Sequence, residues 1–419
     1  MRWQHILHHG PQAFTPAGVA PRDEAAEPIV VHGRLDPGPA RRWTINGDFL
    51  ALAPTGVARY AREVTLALDR LVTERDPLTR GLQLDLVAPR APDQLALTRI
   101  PIRVVPDATR WRLPQAWVQT RLPMHVPGGL LSFCNLAPVL PRRHIVCIHD
   151  LHTHIMPESY SLGFRLAHRL VLPVLGRRAA VITTVSDHSR DQLVGYRIAA
   201  PDKIAVTYDG ADHVHGWHRE RSTRVFPSEP FVLCLGRRQR YKNTELLLRL
   251  AERLAALGIA VVMAGDITEA ALTELGGAGW ARPSSLHVLG RISDDDLARG
   301  LSQALCFAFP SRIEGFGLPA VEAMMLGCPV VAANAPALPE ICRDAALYAD
   351  PDDLGQWVSA ITSLRADPRL RAILIERGHR LAASTYSWRT IASGYLRLMA
   401  RVDAGLPATE PDATSMDGP

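Results

Sequence analysis

Short, uniformly apolar runs rich in β-branched residues alternate along this chain with longer amphipathic segments, and this alternation limits the folds that it can adopt. A strand that is apolar on both faces must be covered on both faces, as in parallel sheets whose connections are helices. The predicted strands are RWTINGDF, LQLDLVAP, IPIRVVP, LLSF, HIVCIHD, VITTVS, IAVTYDG, FVLCLGR, IAVVMAGD, LHVLGRI, LCFAFPS, PVVAANA and ALYAD. The predicted fold class is α/β, with doubly wound parallel sheets.

The strands fall into two series, which predicts two Rossmann-like domains. The chain has 419 residues, too many for one ordinary core. A polar stretch with two prolines, HRERSTRVFPSEP at residues 218–230, separates the series. Ligands of such sheets bind beyond the carboxyl ends of the strands, so a cleft between facing domains is the expected site. The predicted regions are a flexible extension (1–40), an amino-terminal domain (41–226) on which 386–402 packs back, a carboxyl-terminal domain (227–385) and a disordered tail (403–419).

Composition excludes several classes of protein. No run approaches the ~18 apolar residues that span a bilayer, and the start MRWQHILHHGPQAF lacks the apolar core of a signal peptide, so we expect a cytoplasmic protein. The six cysteines are scattered without a C-x-x-C pair, which supports neither a disulfide framework nor a zinc site. The net charge of +5 is mild and no nucleic-acid module is present, so we expect no nucleic-acid partner.

One segment keeps a peripheral membrane association open. Residues 109–123, TRWRLPQAWVQTRLP, mix tryptophan and arginine as interfacial helices do. A buried helix with snorkelling arginines accounts for the same pattern. The mild positive charge suits either a phosphorylated ligand or an anionic membrane surface.

The stretch PSRIEGFGLPAVEAMMLGCPVV, residues 310–331, places Glu314 and Glu322 around a glycine turn. The turn joins a buried strand to a helix, an arrangement that points backbone N–H groups at an anion such as phosphate. Carboxylates accept hydrogen bonds from hydroxyls, so a sugar or a ribose suits both acids. For Glu322 a helix cap is the simpler alternative.

A basic loop, LGRRQRYKN, follows the first strand of the second series and precedes a helix that begins near Asn243 or Thr244. Arg237 and Lys242 could reach a diphosphate from there, although a solvated loop is the alternative. In the first half, Gly56 precedes a helix and His149 ends a strand. His149 could contact a ligand, whereas the spacing of the nearby histidines matches no common zinc pattern.

Together these segments resemble the family 4 nucleotide-sugar glycosyltransferases, which have the GT-B fold. The E-x7-E motif EGFGLPAVE is the most specific mark, and LGRRQRYKN resembles the donor loop of the family. TGVARY, SFCNLAP, CIHDLHTHIMPESY and TTVSDHSRDQL resemble its amino-terminal landmarks in the expected order. The resemblance covers roughly residues 43–402 and is near to bacterial polysaccharide mannosyltransferases. It implies two domains that face each other across a cleft, with the acceptor on the amino-terminal side and the donor on the other.

The resemblance also implies roles for individual residues. Glu314 would contact the donor sugar and Glu322 the ribose hydroxyls. Arg237 and Lys242 would neutralise the diphosphate without a metal or a cofactor. Tyr241 stands where many members have arginine, which leaves Arg237 or Arg240 to supply the second charge. The other implied contacts are the backbone N–H groups of Phe316, Gly317 and Leu318 at the phosphate or sugar, Gly56 at the diphosphate, and His149 near the sugar and acceptor.

The implied reaction is transfer, with retention of anomeric configuration, of a sugar such as mannose from a nucleoside diphosphate to a glycan or lipid-linked glycan. No enzymatic nucleophile is evident in the sequence. The alternatives are a GT-B epimerase, and a GT-B module that binds a nucleotide sugar without catalysis. A turnover assay beside nucleotide titrations distinguishes the module, which would bind without transfer.

Transfer by this protein should not depend on a divalent metal ion. No Asp-x-Asp triplet is placed to hold a divalent ion between phosphates, and a basic loop is available instead. We expect transfer activity to survive excess EDTA. Complete loss of activity, restored by Mg²⁺ or Mn²⁺, would contradict the roles of Arg237 and Lys242.

Overall fold

The structure is a computed structural model that describes residues 41–53, 55–93, 95–107, 116–277 and 279–408. The predicted extension 1–40 and residues 409–419 of the predicted tail lie outside the described residues, as do residues 109–115. In the rest of the Trp- and Arg-containing segment, Trp117–Arg121 form a π-helical turn in which Trp117 is buried. Its indole Nε1 donates to the carbonyl oxygen of Val105 at 2.8 Å, so this part of the segment is packed into the fold.

The first half of the chain forms one parallel sheet. Its strands are β1 (Arg41–Asn46), β2 (Leu82–Ala88), β3 (Ile102–Val104), β4 (Gly129–Ser132), β5 (His144–Cys147), β6 (Val181–Thr184) and β7 (Ile204–Val206). They pair in the order β3-β2-β1-β4-β5-β6-β7, and every pair is parallel.

The second half forms another parallel sheet. Its strands are β8 (Phe231–Leu235), β9 (Ala260–Ala264), β10 (Leu286–Gly290), β11 (Cys306–Phe309), β12 (Val330–Ala333) and β13 (Ala346–Ala349). Their order is β10-β9-β8-β11-β12-β13, again with every pair parallel. Every strand predicted from the sequence is present, and the α/β class is confirmed.

Helices connect the strands. They are α1 (Gly56–Thr73), α2 (His152–Ile155), α3 (Leu162–Arg178), α4 (Asp187–Gly195), α5 (Thr244–Ala255), α6 (Glu269–Gly276), α7 (Asp294–Gln303), α8 (Leu318–Met325), α9 (Leu338–Cys342), α10 (Leu354–Ala366), α11 (Pro368–Thr385) and α12 (Trp388–Asp403). Short 3-10 turns complete the connections, among them Arg240–Lys242 and Asp212–Gly216.

Helix α1 shows how sequence produces these elements. The hydroxyl of Thr55 accepts a hydrogen bond from the backbone N–H of Ala58 and so caps the helix. Four apolar or aromatic residues then recur at helical spacing on one face, and all are fully buried: Tyr60, Val64, Leu68 and Leu71. Burying each such side chain stabilises the fold by about 1.5–3 kcal/mol.

Strand β1 is shorter than predicted. It ends at Asn46, whereas the predicted strand RWTINGDF continues to Phe49. The side chain of Asn46 accepts a hydrogen bond from the N–H of Asp48 and starts a 3-10 turn over Gly47–Ala51. The turn takes Phe49 into the core, where it is 4% exposed, so a residue outside the strand is buried with it.

The last helix, α12, returns to the first sheet. The hydroxyl of Tyr395 lies 2.9 Å from that of Tyr60 in α1 and 2.8 Å from Oγ1 of Thr183 in β6. Asp403 accepts from Trp43 Nε1 at 2.9 Å and pairs with Arg41 at 2.6 Å. The tail was predicted to begin at residue 403. That start is wrong, because Asp403 ends the helix and is fixed by these bonds. The other domain limits stay predictions.

The two halves meet at the loops that follow the carboxyl ends of their strands. Glu340 in α9 accepts the backbone N–H groups of Asp187 and His188, at the start of α4, at 2.7 and 3.0 Å. A Cβ atom added to Gly315 would lie only 2.8 Å from the carbonyl oxygen of His149. The carboxyl edges of both sheets therefore border one shared region.

Close packing of α3 against Ile198 gives a test of the fold. A Cβ atom at Gly176 would lie 1.7 Å from the carbonyl oxygen of Ile198, whereas one at Gly163 in the same helix would meet nothing within 4 Å. We expect Gly176→Ala to destabilise the protein by at least about 2 kcal/mol. Gly163→Ala should be neutral or stabilising by up to about 1 kcal/mol. Denaturant unfolding measures both, and equal stabilities of the two variants would contradict this packing.

Candidate functional site

The glycine turn between β11 and α8 forms the centre of the site. Gly317 precedes α8 with a φ of 100°, in the left-handed region that favours glycine. A Cβ atom there would also lie 2.7 Å from Leu338 Cδ2. Within the described part of the chain, the backbone N–H groups of Phe316, Gly317 and Leu318 have no hydrogen-bond partner. They are positioned at a helix start to receive an anion.

Glu322 does not cap α8. It is the fifth residue of the helix, and no side chain caps the helix start. The carboxylate is instead almost buried, and Oε1 accepts a hydrogen bond from Nε2 of His213 at 3.0 Å. Arg59 Nη1 lies 3.9 Å from the same oxygen. The alternative of a helix cap is therefore wrong.

A third side chain fixes the tautomer of His213. Trp388 Nε1 lies 3.0 Å from His213 Nδ1. An indole nitrogen only donates, so Nδ1 must accept and Nε2 must carry the ring proton. Trp388, His213 and Glu322 thus form a directed chain of hydrogen bonds that ends on the carboxylate.

Glu314 and Lys242 are paired directly with each other. Lys242 Nζ lies 2.6 Å from Glu314 Oε1, and Glu314 is only 8% exposed. The ammonium also lies over the rings of Tyr241 and Phe309, at 5.1 and 5.7 Å from their centroids. The basic loop and the first acid of the E-x7-E motif therefore form one charged unit.

Asn243 holds the basic loop against the end of β11. Its backbone is left-handed, with a φ of 56°, and it directly precedes α5. Its amide Nδ2 donates to the carbonyl oxygens of Pro310 and Pro351 at 3.2 and 2.8 Å. The predicted start of the helix near Asn243 or Thr244 is confirmed, and this anchor sets the position of Lys242 beside Glu314.

The other cations of the loop differ in environment. The guanidinium of Arg237 makes no hydrogen bond or ion pair within the described ranges, and its backbone N–H donates to Thr244 Oγ1 at 3.2 Å. Arg237 is half-buried and Arg240 is exposed. Tyr241 is half-buried, and burial raises its pKa well above the usual range; the neighbouring Tyr160 of the first half and Glu314 add to the rise. Arg237 and Arg240 are the two candidates to supply the second positive charge at the diphosphate. Arg237 is the better candidate, because it is half-buried and its guanidinium has no hydrogen-bond or ion-pair partner within the described ranges.

His149 lies beside the glycine turn, and its predicted role near the sugar and acceptor stays a prediction. Its ring Nε2 lies 2.8 Å from the carbonyl oxygen of Phe133, and its backbone N–H donates to Asn135 Oδ1 at 2.8 Å. The ring packs edge-on against Tyr60, 4.8 Å between centroids. Its backbone carbonyl, rather than a free ring nitrogen, faces the glycine turn at Gly315.

Gly56 does not pack closely against other parts of the described structure. A Cβ atom at this position would meet nothing within 4 Å, so the packing around it does not require glycine. Its predicted place at a diphosphate stays a prediction. One turn further along α1, Arg59 pairs with Asp294 in α7 at 2.7 Å and lies over the ring of Trp217.

Asp209 is a buried acid to which the sequence assigned no role. It is 6% exposed, and its Oδ1 has no hydrogen-bond partner among the described residues. Burial raises its pKa to about 7; positive charge on His149 opposes the rise, and the Glu322 carboxylate adds to it. The described residues contain no group of three or more His, Cys, Asp or Glu side chains that could hold a metal ion.

The residues that sequence reasoning missed are Arg59, His213, Trp388 and Asp209. Arg59 lies within the quoted TGVARY, but nothing local distinguishes it from other helix arginines. Asp209 and His213 lie in DGADH, where two acids and a histidine close after a strand were a usable signal.

Known proteins show the same patterns. The family of Glycosyl transferases group 1 matches residues 218–381. O-antigen chain mannosyltransferase B of Escherichia coli is 31% identical over 261 residues, 59% of this chain and 67% of the relative. D-inositol 3-phosphate glycosyltransferase of Rhodococcus opacus (strain B4) is 33% identical over 275 residues, 59% of this chain and 60% of that relative. The chain belongs to the group 1 glycosyltransferases.

Solved structures agree on the fold. Sucrose-phosphate synthase from Thermosynechococcus elongatus superposes with a TM-score of 0.66 at 18% identity, covering 87% of this chain and all of that one. Anabaena Alr3699/HepE in complex with UDP-glucose gives a TM-score of 0.61 at 18% identity, with the same coverage of both chains. The protein is a GT-B glycosyltransferase of family 4, which transfers a sugar from a nucleotide-sugar donor.

The loop of this glycosyltransferase gives a paired test. We expect Lys242→Ala to cost about 2–5 kcal/mol of transition-state stabilisation, because its ammonium lies in the charged unit with Glu314. Arg240→Ala, the exposed arginine of the same loop, should change kcat/KM by less than about threefold. Steady-state kinetics of both variants make the comparison. Equally small effects would mean that Lys242 is only a surface lysine.

Proposed function

We propose that this glycosyltransferase moves mannose from GDP-mannose to a glycan or lipid-linked glycan, with retention of anomeric configuration and without a metal. The observation that carries the proposal is the meeting of Glu314, Lys242 and Glu322 with unbonded backbone N–H groups at one glycine turn. These are the group types that a nucleoside-diphosphate sugar needs. The name of the Escherichia coli relative supports mannose as the sugar.

The charged unit accounts for diphosphate and sugar together. A lysine ammonium has three donors, and one of them is used by Glu314 Oε1. The others are available to a phosphate, joined by Arg237 and the N–H groups of Phe316 to Leu318. Glu314 Oε2 remains to accept from sugar hydroxyls. The pair therefore need not separate when the donor binds.

The position of Glu322 in α8 supports a role in ribose binding. It lies one and a half turns into α8, beyond the N–H groups that would face phosphate. Only Oε1 takes the hydrogen bond from His213, so Oε2 is left for ribose hydroxyls. Diphosphate, sugar and ribose would then be bound along a single turn and helix.

The proposed chemistry uses these groups as electrostatic stabilisers. The acceptor hydroxyl oxygen bonds to the anomeric carbon as the bond from that carbon to the β-phosphate oxygen breaks, and the hydroxyl proton passes to the departing phosphate oxygen. Negative charge develops on the departing nucleoside diphosphate. Preorganised cations and N–H donors lower the barrier because they need no reorganisation at that moment.

A donor screen tests the proposal. Release of nucleoside diphosphate is measured across purified GDP- and UDP-sugars, and NMR of the product reports its anomeric configuration. We expect Glu322→Gln to weaken nucleoside-diphosphate binding by about 1–3 kcal/mol, because the amide replaces one acceptor with a donor. Glu314→Gln should keep that affinity while transfer falls. The exposed Glu376, changed to Gln, is the control. Unchanged calorimetry in Glu322→Gln, or unchanged turnover in Glu314→Gln, would remove that residue from the site.

We also propose that the enzyme works in the cytoplasm on the inner face of the cell membrane, through the outer face of α3. None of the helices that the structure describes is long and apolar enough to cross a membrane. Leu162, Leu166 and Leu170 follow one another at four-residue spacing and are 76%, 58% and 62% exposed. This leucine stripe lies opposite the buried face of the helix, which contains Leu172 and Leu175.

The charges around this stripe favour an anionic bilayer. Residues 159–186 contain no aspartate or glutamate, and Arg169 and Arg177 on α3 are exposed. Basic side chains beside exposed leucines are typical of helices that lie in a membrane interface. A two-fold dimer through the same face would bring two copies of this basic face together without an acidic side chain from residues 159–186 between them, which is unfavourable.

Vesicle sedimentation tests the surface. We expect the enzyme to sediment with vesicles containing phosphatidylglycerol, less so at high salt because screening weakens the arginine contribution. The double variant Leu166→Glu, Leu170→Glu should lose this binding. Ile373→Glu, at a similarly exposed position on α11, should keep it. Undiminished sedimentation of the double variant would exclude α3 as the docking surface.

A further inference from the structure

His213 is the only side chain within the described ranges that makes a hydrogen bond to Glu322. It lies in the turn Asp212–Gly216, in the stretch that connects the two sheets, and its side chain is 5% exposed. Both ring nitrogens are used: Nδ1 accepts from Trp388 and Nε2 donates to Glu322. A histidine held at both nitrogens has one orientation and one tautomer.

We infer that His213 is a positioning residue for nucleotide recognition: as a neutral imidazole it holds Oε1 of Glu322, so that Oε2 is presented to the ribose. This inference rests on the proposed role of Glu322 in ribose binding. It adds a residue that makes no contact with the ligand itself.

Trp388, at the far end of the chain of bonds, is held firmly. Its backbone N–H donates to Asp212 Oδ1 at 2.8 Å, and it is 2% exposed. Gly210 packs directly against it, because a Cβ atom there would lie 2.6 Å from both its backbone nitrogen and its ring. The indole therefore has little conformational freedom. Its N–H bond fixes the orientation of the His213 ring, and the ring in turn fixes the hydrogen bond to the carboxylate.

The identity of the hydrogen-bond donor to Glu322 matters because the guanidinium of Arg59 is also close to this carboxylate. Arg59 Nη1 lies 3.9 Å from Glu322 Oε1, but its guanidinium makes its short contact with Asp294 at 2.7 Å. If His213 could not donate, Arg59 would be the remaining basic side chain of the described residues within 4.0 Å of the carboxylate, at 3.9 Å. A guanidinium binds carboxylates in a bidentate way, which would occupy both oxygens and compete with the ribose. A neutral single donor leaves one oxygen available.

The test combines protein variants with a change in the ligand. His213→Leu removes the donor, and His213→Gln keeps an amide N–H near the position of Nε2. Trp388→Phe removes the indole donor that sets the tautomer. His215→Leu, an exposed histidine in the same turn, is the matched control. Calorimetry uses whichever of GDP and UDP binds more tightly, together with its 2′,3′-dideoxy form, and thermal melts report folding.

We expect His213→Leu to weaken binding of the ribose-containing nucleotide by about tenfold, and Trp388→Phe by about threefold. His213→Gln should recover most of the affinity, and His215→Leu should match the unmodified enzyme. For the dideoxy nucleotide, His213→Leu should change affinity by less than about twofold, because Glu322 then has no hydroxyl to bind.

Two results would overturn the inference. One is unchanged nucleotide affinity in a folded His213→Leu variant, and the other is an equal loss for both nucleotides, which would indicate a purely structural role. Glu322→Gln separates the causes. If it weakens binding while His213→Leu does not, only the role of His213 is wrong. If it has no effect on either nucleotide, the ribose site is wrong as well.

Discussion

Parallel pairing of every strand is the constraint from which the site follows. In a parallel sheet all carboxyl ends lie at one edge, so loops from distant parts of the sequence become neighbours. His149 after β5, Asp209 after β7, Lys242 after β8 and Glu314 after β11 all come from such loops. The carboxyl edges of the two sheets border the same region, so the loops of the first sheet lie near the loops of the second. Chemistry spread over more than 160 residues is thereby concentrated between a few loops.

Burying charged side chains in this region would destabilise the folded protein unless the charges were paired. Glu314 and Glu322 are each under a tenth exposed, and each has a donor: Lys242 for the first and His213 for the second. An isolated buried carboxylate would be strongly unfavourable. Asp209 has no such partner at Oδ1, and its raised pKa is the physical response to that environment. A substrate with several hydroxyls and phosphates is the kind of ligand that supplies the missing bonds.

The fold could be predicted from sequence further than the site could. The strands could be predicted because a buried parallel strand consists of consecutive apolar residues, as in AVVMA of β9. Glu314 and Lys242 were predicted as ligand groups, but their pairing was not, because 72 residues separate them. Glu322 was open to interpretation as a cap, since local spacing cannot show that a turn 109 residues earlier supplies its partner. Trp388, 175 residues beyond His213, leaves no local signal at all.

Polar contacts are among those that join the two halves, and they bear on how the enzyme binds its donor. Arg59 with Asp294, and Glu340 with the start of α4, are interactions that water can replace. The hydrogen bond from His213 to Glu322 also links the connecting stretch to the second half. A rotation between the two halves would alter the setting of the carboxylate proposed to bind ribose. We therefore expect movement of the two halves and nucleotide affinity to be thermodynamically coupled, because the bond between His213 and Glu322 takes part in both.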